Sequence, residues 1–203
     1  MYSWVMDFNL RGDGEEVERF LLSMIREWPD RYEKIDGVLG TMFLGNAFGL
    51  GGPYTFRMVL EIKSVDTLRN VDQLYKTDAG WRKAISDFRK HRQDVQSRLL
   101  KHSGGDSPFT ATVNQTAQPG FVFVHEFANQ ANSDAVLKSQ PSSSATYSAL
   151  VQPAAGHSFE VWSNLPDLKS VEQRGTGSIS VGSLRSGLYS SFRIVDGVLV
   201  GAA

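Results

Sequence analysis

The clearest signals of the fold lie in residues 54–100, which are YTFRMVLEIK followed by SVDTLRNVDQLYKTDAGWRKAISDFRKHRQDVQSRLL. Apolar and polar side chains alternate through its first ten residues, which is typical of a strand with one buried face. Apolar residues then recur at helical spacing, and Ser64 and Thr77 stand where helix N-caps are favoured. The pattern predicts a strand followed by one long amphipathic helix with two starts, reaching towards His102.

The segment from Tyr2 to Leu10 also alternates, so it predicts the first strand. Asp13 with Glu16 three residues later predicts a capping box that opens an amphipathic helix. Pro29 should end or kink this helix at Trp28, because proline lacks the backbone N–H that a helix interior needs.

Residues 38–44 predict a second strand, and a glycine-rich loop at 45–53 joins it to the strand at 54. This loop joins two predicted strands and lacks the glycine order of a phosphate cradle, so we interpret it as a flexible hairpin and a candidate pocket lid. A further strand at 107–115 would complete βαββαβ, the ferredoxin-like split unit of an α+β protein.

The second half predicts a shorter, degenerate copy of this unit. It has a strong strand signal at 120–127 and a weak helix signal at 132–139. Further strand signals follow at 146–152, at the start of 157–173, at 178–184, and in a hairpin at 188–201 around Asp196-Gly197. The expected fold class is therefore α+β, a ferredoxin-like unit duplicated into a pseudo-dimeric α/β barrel.

Charge is distributed unevenly along the chain, since residues 1–105 hold 31 of its 43 Asp, Glu, Lys and Arg residues. This predicts two units, 1–115 and 116–203, with SGGDSP (103–108) as the linker. The net charge of −1 favours neither nucleic acid nor an anionic membrane as a partner. The absence of cysteine excludes disulfides and thiol catalysis. With no signal-peptide or membrane-spanning pattern, we expect a cytoplasmic protein.

The chain resembles the dimeric α/β-barrel superfamily, which includes antibiotic-biosynthesis-type monooxygenases and small polyketide cyclases. The resemblance is carried by Trp28, IDGVLG (35–40), MVLEIKSVDTLRN (58–70) and DAGWRKAISDF (78–88). It implies two sheets packed as a barrel, usually by homodimerisation, with a ligand pocket between a sheet and its helices. Polyketide cyclases and some haem-degrading members place a histidine near DAGW, and this chain has none there.

His125 is the strongest candidate for chemistry, because FVFVHEF places it on one strand face with Phe123 and two further phenylalanines. Such an imidazole could act as a general base or ligate a haem iron, or it could be a core histidine with one structural partner. His91, at a helix edge beside basic residues, is the other candidate iron ligand.

Three further candidates would orient a substrate. Asn9 ends the first strand, and related cofactor-free oxygenases orient oxygen or a carbonyl with an asparagine; Asn9 could equally begin a turn. Arg57 lies on the polar face of the central strand and would pair with Glu61 or another neighbour, or clamp a carboxylate. Tyr54 precedes it.

Four aromatic residues complete the expected apolar substrate pocket: Tyr54, Trp81, Phe123 and Trp4. Trp81 could equally be a core residue.

The first functional hypothesis is a small-molecule enzyme of specialised metabolism. It would catalyse cofactor-independent oxygenation or cyclisation of an aromatic or polyketide-like ligand, with His125 as base and Asn9 and Arg57 as orienting groups. The second is a haem-binding protein of the same superfamily, and the third a non-catalytic ligand-binding or assembly protein. No metal-ligand spacing is present, so a dedicated metal site is not expected.

Overall fold

The structure is a computed structural model that describes residues 1–50, 53–105, 120–139, 144–151, 158–165, 167–170, 183–195 and 198–201. The first half contains β1 (Tyr2–Leu10), α1 (Gly14–Tyr32), β2 (Val38–Asn46), a 3-10 turn (Ala47–Gly49), β3 (Phe56–Ile62), α2 (Thr67–Thr77), α3 (Ala79–His91) and β4 (Arg92–Gly105). The second half contains β5 (Phe121–Phe127), α4 (Gln130–Ser139), β6 (Ser144–Val151), β7 (Phe159–Leu165), β8 (Ser183–Val195) and β9 (Val198–Gly201).

Eight strands form one closed antiparallel barrel within a single chain. Their order is β2-β3-β1-β4-β6-β7-β5-β8, and pairing of β8 with β2 closes the ring. β9 pairs antiparallel with β8, with Val195 opposite Val198, which confirms the predicted C-terminal hairpin. The α+β class is therefore confirmed. A second chain is not needed to close this barrel.

The two halves place their strands in the same relative order, β2-β3-β1-β4 and then β6-β7-β5-β8. The halves meet at two seams, β2 with β8 and β4 with β6, and the residue pairs at one seam are equivalent to those at the other. At one seam Leu44 lies opposite Ser191, and at the other Tyr147 lies opposite His102. Each half thus contributes four strands to the ring and meets the other half along two edges.

Alternation along the strands separates an interior face from an outer face. On β1, Val5 packs inside the barrel with residues from the other seven strands of the ring. Met6 and Phe8 face outward and pack against α1 and α3. The helices of the first half therefore cover the outer face of their own sheet. Among the described residues, no helix has the length and apolarity needed to cross a membrane.

The prediction of a helix continuing to about residue 100 is wrong after His91. Residues 92–105 form β4, which pairs with β1 on one edge and β6 on the other. Arg98 and Leu100 point into the barrel, while Leu99 joins the outer core. Strand pairing on both edges stabilises this segment more than its helical pattern does, since local propensity is a weak determinant of structure. The strand predicted at 107–115 lies outside the described residues.

Helix boundaries differ from the sequence predictions in three places. α1 continues through Pro29 to Tyr32, because Trp28 and Tyr32 are both buried in the core and hold the last turn in place. Asp78, and not Thr77, caps α3 by accepting from the Trp81 N–H at 2.9 Å. α2 begins at Thr67, three residues after Ser64.

The N-cap predicted for α1 is present in the structure, whereas part of the predicted linker belongs to a strand. Asp13 caps α1 as expected, and its Oδ1 accepts a hydrogen bond from the Glu16 N–H at 2.8 Å. Residues 103–105 of the predicted linker belong instead to β4, in which Gly104 and Gly105 pair with β6. Residues 106–108 lie outside the described residues.

Candidate functional site

The outer face of β5 carries the row Phe121, Phe123, His125 and Phe127, as the alternation in the sequence predicts. Cross-strand pairing fixes the neighbours of His125 on this face. It lies opposite Val161 on β7 and Ser186 on β8. The site is therefore built on three neighbouring strands of the second half, which hold its side chains in a defined register.

His125 is completely buried, and its contacts on this face include Ser186 and the rings of Phe123 and Phe127. Its Nδ1 lies 2.6 Å from Oγ of Ser186, within hydrogen-bond distance. The ring of Phe123 meets the imidazole edge-on, with 4.4 Å between centroids. When Nδ1–H donates to Ser186, the basic lone pair of the neutral imidazole is on Nε2.

The corresponding place in the first half is apolar. Met6 lies opposite Met58 and Ser97, just as His125 lies opposite Val161 and Ser186. Met6 is buried beneath a close-packed aromatic core in which Trp28 meets Trp81 at 5.1 Å and Phe88 at 5.2 Å. In the first half, Met6 and the aromatic core above it therefore occupy the place that His125 and its neighbours occupy in the second half.

Hydroxyl groups continue the polar character of the second-half face. Ser163 and Ser144 lie opposite each other on β7 and β6, with 2.8 Å between their hydroxyl oxygens, and both are buried. Thr146 follows on the same face, opposite Val161. The face thus combines aromatic rings with hydroxyl groups.

Two elements cover the ends of this row of residues. Val136 of α4 packs on Phe127 and Val161 at one end. At the other end, Ala47 of the 3-10 turn packs on Phe121, Leu165 and Leu188. The turn belongs to the first half of the chain, so both halves contribute to the surroundings of the face that carries His125.

The barrel interior holds a buried ionic network. Arg57 donates to both carboxylate oxygens of Asp7, at 2.6 and 3.2 Å. Arg98 also bonds to Asp7, and it donates to both carboxylate oxygens of Glu160 at 2.5 and 3.3 Å. The indole N–H of Trp162 donates to Glu160 at 2.7 Å. Because Arg98 and Glu160 come from different halves, the network joins the two halves across the interior.

Charge balance explains how this network is tolerated in the barrel interior. Burial by itself would raise the pKa of Asp7, but Arg57 and Arg98 outweigh it and lower the pKa below the ordinary 3.8. The guanidinium of Arg57 also lies 4.4 Å from the Tyr189 ring centroid and 5.4 Å from that of Trp162. Asp7 is therefore ionised at neutral pH, and both arginines have stabilising partners.

The structure does not bring all the sequence-predicted site residues together. His125 and Phe123 are in contact, but Arg57 lies on the opposite, interior face of the sheet. Its partner is Asp7, which agrees with the expectation of pairing to a neighbour. Trp81 is buried in the first-half core, and Trp4 packs against the same core.

Asn9 occupies the end of β1, where it accepts hydrogen bonds from the N–H and hydroxyl of Thr55 at 2.7 and 2.9 Å. Its amide nitrogen donates to Asp94 at 3.2 Å. Asn9 therefore stabilises the backbone at Thr55, which lies between Tyr54 and the start of β3. These contacts fix the local backbone, while the predicted roles of Asn9 and Tyr54 towards a substrate remain predictions.

Sequence patterns did not identify Ser186 or the interior ion network. Ser186 lies between two predicted strand segments, 178–184 and 188–201, whereas the structure has one continuous strand over Ser183–Val195. The sequence places Asp7 as a charged residue on the polar face of the first strand, whereas Arg98 lies in the segment that is predicted as helix. The role of Arg98 depends on a contact with Glu160, which is 62 residues away in the chain.

A separate surface cleft of about 550 Å³ lies between α1, α2 and the start of α3. Its lining has three basic and three acidic side chains: Arg26, Arg31, Lys34, Glu27, Asp30 and Asp78. This balance gives the cleft no net charge to attract an ionic ligand. Within the described ranges, no group of three or more His, Asp or Glu side chains is arranged to hold a metal ion.

Solved structures with this fold include several named for oxidative chemistry. A monooxygenase-like protein from Fusobacterium nucleatum aligns with a TM-score of 0.58 and 9% identity, over 98% of this chain and 94% of that one. An anthrone oxidase-like protein aligns with a TM-score of 0.55 and 8% identity, over 100% and 94%. A chlorite dismutase-like protein aligns with a TM-score of 0.53 and 11% identity, over 97% and 95%.

No protein-family model matches the sequence, and no curated protein matches it. The structural alignments cover almost the whole chain, which has the fold of the dimeric α+β-barrel proteins. At these low identities the alignments establish the fold alone.

Proposed function

We propose that the protein is a small-molecule enzyme that oxygenates or cyclises an aromatic, polyketide-like substrate without a cofactor, using His125 as its base. The observation that supports this proposal most directly is the buried pair of His125 and Ser186, which lies on a sheet face made of aromatic rings and hydroxyl groups. The similarity in fold to an anthrone oxidase-like protein and to monooxygenase-like proteins supports this choice.

An anthrone is the substrate class that tests this proposal best. Its three fused rings match an apolar, aromatic lining, and its ring-bound oxygens match hydroxyl partners. Ser186 would hold the tautomer in which Nε2 of His125 accepts a proton from the methylene carbon of the anthrone. The resulting carbanion is the electron source for oxygen: the methylene becomes a carbonyl, and anthrone plus O₂ gives anthraquinone plus water.

We also propose that the chain is a duplicated ferredoxin-like unit, with units at 1–115 and 116–203. The common strand order of the halves and the matching seam registers support this proposal. In that arrangement the first unit provides a filled, structural copy of the site and the second a functional one. A homodimer and a cytoplasmic location are further proposals; since the barrel closes within one chain, a homodimer would use another surface.

Haem binding, with His125 or His91 as the iron ligand, is the alternative. A buried imidazole with its Nδ1 hydrogen-bonded is a suitable axial ligand. However, the described side chains on the face of His125 are hydroxyls and aromatic or aliphatic groups, without the cationic partners that two haem propionates favour. The residues around His125 therefore fit a neutral aromatic ligand better than a haem.

The test uses 1,8-dihydroxyanthrone with purified protein in the absence of added cofactor. Oxygen uptake and anthraquinone absorbance are followed after subtraction of the uncatalysed oxidation. We expect His125→Ala to lower kcat by about 10²- to 10⁴-fold, the usual contribution of a general base. Met6→Ala, at the matching position of the first half, is the control for loss of a buried side chain and should retain kcat.

Each remaining hypothesis predicts a different result in the same samples. Full activity of His125→Ala would remove the support for this enzyme. A Soret band on titration with haem, lost in the His125 or His91 variant, would favour the haem-binding alternative. Tight anthraquinone binding without any turnover would favour a non-catalytic ligand-binding protein.

A further inference from the structure

We propose that Arg185 is a positioning residue for His125, because its ion pair with Glu126 holds β8 in the register that brings Ser186 to the imidazole. Arg185 acts through Ser186 and not on a substrate. This inference rests on the proposed function of His125, since it names a residue on which the basic form of that imidazole depends.

The ion pair and the His125–Ser186 pair are neighbours on the same two strands. Glu126 lies opposite Arg185 in the pairing of β5 with β8, and His125 lies opposite Ser186 one residue earlier on β5. Nη2 of Arg185 donates to Oε1 of Glu126 at 2.6 Å. Because successive side chains of a strand point to opposite faces, the ion pair lies on the interior face and His125 on the outer face. The two contacts therefore fix the same register from both sides of the sheet.

A bulge lies immediately beyond the ion pair. Glu126 lies opposite Arg185, but Phe127 lies opposite Ser183, so Leu184 is an extra residue in β8. If the bulge moved past His125, the residue opposite the imidazole would change from Ser186 to Arg185. The ion pair lies between the bulge and His125, so it must break before the bulge can move that far.

Charge on the neighbouring strand favours the same arrangement. Glu126 also lies opposite Glu160 of β7, and like charges at opposite positions of neighbouring strands are destabilising. Glu160 binds Arg98 through both carboxylate oxygens, and Arg185 supplies a positive charge to Glu126. The side chain of Glu126 is 7% exposed and that of Arg185 is 34% exposed. Solvent therefore screens this pair less than it screens an exposed ion pair.

The matching position of the first half has no charge. Met6 lies opposite Ser97 there, and Asp7 lies opposite the neutral Gln96. The pairing of β1 with β4 also shifts in register just after Asp7. Strand pairing beside such a shift therefore does not itself require an arginine, and Arg185 is a feature of the half that contains His125.

The position of the imidazole proton can be measured without substrate. In protein with isotope-labelled histidine, the nitrogen chemical shifts in NMR spectra show whether Nδ1 or Nε2 carries the proton, and the signals lost in His125→Ala identify His125. Spectra are recorded in alkaline buffer, where the imidazole is neutral. We expect the proton on Nδ1 in wild-type protein, where the ring nitrogen lies 2.6 Å from the Ser186 hydroxyl.

We expect Arg185→Gln, which introduces the residue type of the matching position, to move both shifts towards the average of the two tautomers. Ser186→Ala, which removes the hydrogen bond directly, should give the same change. Arg185→Lys keeps the positive charge and should restore the wild-type shifts. Arg69→Met, which removes an exposed ion pair, is the control and should not change them. Wild-type shifts in Arg185→Gln would overturn the role of Arg185.

Melting curves for each variant identify a folding defect. Glu126→Gln weakens the same pair from the other strand, because a hydrogen bond to a neutral amide is weaker than one to a carboxylate. It should move the shifts of His125 in the same direction, and it keeps the test valid if Arg185→Gln does not fold.

The anthrone assay provides a second readout. Arg185→Gln should lower kcat about five- to tenfold, the usual contribution of one hydrogen bond, and leave KM unchanged. Combining it with Ser186→Ala should lower kcat no further than Ser186→Ala alone, because both changes remove the same contact. Losses that multiply in the double variant would contradict an action of Arg185 through Ser186.

The same samples separate this inference from the proposed function. If Arg185→Gln retains the wild-type shifts while His125→Ala abolishes anthrone oxidation, the positioning role fails and the enzyme proposal stands. If Arg185→Gln changes the shifts while His125→Ala remains fully active, the enzyme proposal fails and the positioning role stands.

Discussion

Arg98 is the residue that most directly connects the two halves, because it bonds to Asp7 of the first half and Glu160 of the second. All three side chains are almost completely removed from solvent. A buried charge that loses its partner is destabilising, whereas an exposed ion pair contributes little. The consequence of removing Arg98 should therefore be much larger than that of removing a surface arginine.

We predict that Arg98→Met lowers the free energy of unfolding by about 3–5 kcal/mol, because Glu160 loses its charged partner. Urea unfolding followed by tryptophan fluorescence measures this change. Arg69→Met is the control, since the Arg69–Asp66 pair is exposed and should contribute less than about 1 kcal/mol. Equal losses in the two variants would contradict the importance of the interior network.

The lowered pKa of Asp7 predicts how stability depends on pH. In the unfolded chain this carboxyl titrates near 3.8, and in the folded protein it titrates lower. Its ionised form therefore stabilises the fold above about pH 4, and this stabilisation is lost as the pH falls through the lower, folded-state pKa. Asp7→Asn should be less stable at neutral pH and should show a shallower loss below pH 4, measured by urea unfolding at each pH.

At the scale of elements, Asp13 and Asp66 provide a matched comparison of helix N-caps. Asp13 accepts the Glu16 N–H at the start of α1, whereas Asp66 at the start of α2 makes no side-chain capping bond. We predict that Asp13→Ala costs about 1 kcal/mol of stability, while Asp66→Ala is close to neutral. Thermal unfolding of both variants provides the comparison, and equal destabilisation would show that the Asp13 bond contributes nothing.

Elements with a strong local pattern were predictable from the sequence, and those that depend on distant pairing were not. Alternation in FVFVHEF was sufficient to place His125 on a face with three phenylalanines. The pattern of residues 92–100 predicts helix where the structure has β4, because the pairing that forms this strand is with residues far away in the chain. The sequence does not indicate Ser186 for the same reason, since its contact with His125 depends on the register between β5 and β8.

At the scale of the whole molecule, the two halves share two strand seams and the interior ion network. Neither half can separate without exposing strand edges and breaking buried ion pairs. We therefore predict that the chain unfolds in one transition, with equal calorimetric and van't Hoff enthalpies in scanning calorimetry. Two resolved transitions would mean that the halves are independently stable.

The proposed removal of a substrate proton by His125 can be measured without oxygen. The measurement is deuterium incorporation at the methylene carbon of 1,8-dihydroxyanthrone in anaerobic deuterated buffer, followed by NMR. Wild-type protein and Met6→Ala should accelerate the exchange equally, and His125→Ala should exchange at the rate of buffer alone. Exchange by His125→Ala at the wild-type rate would contradict the assignment of His125 as the base.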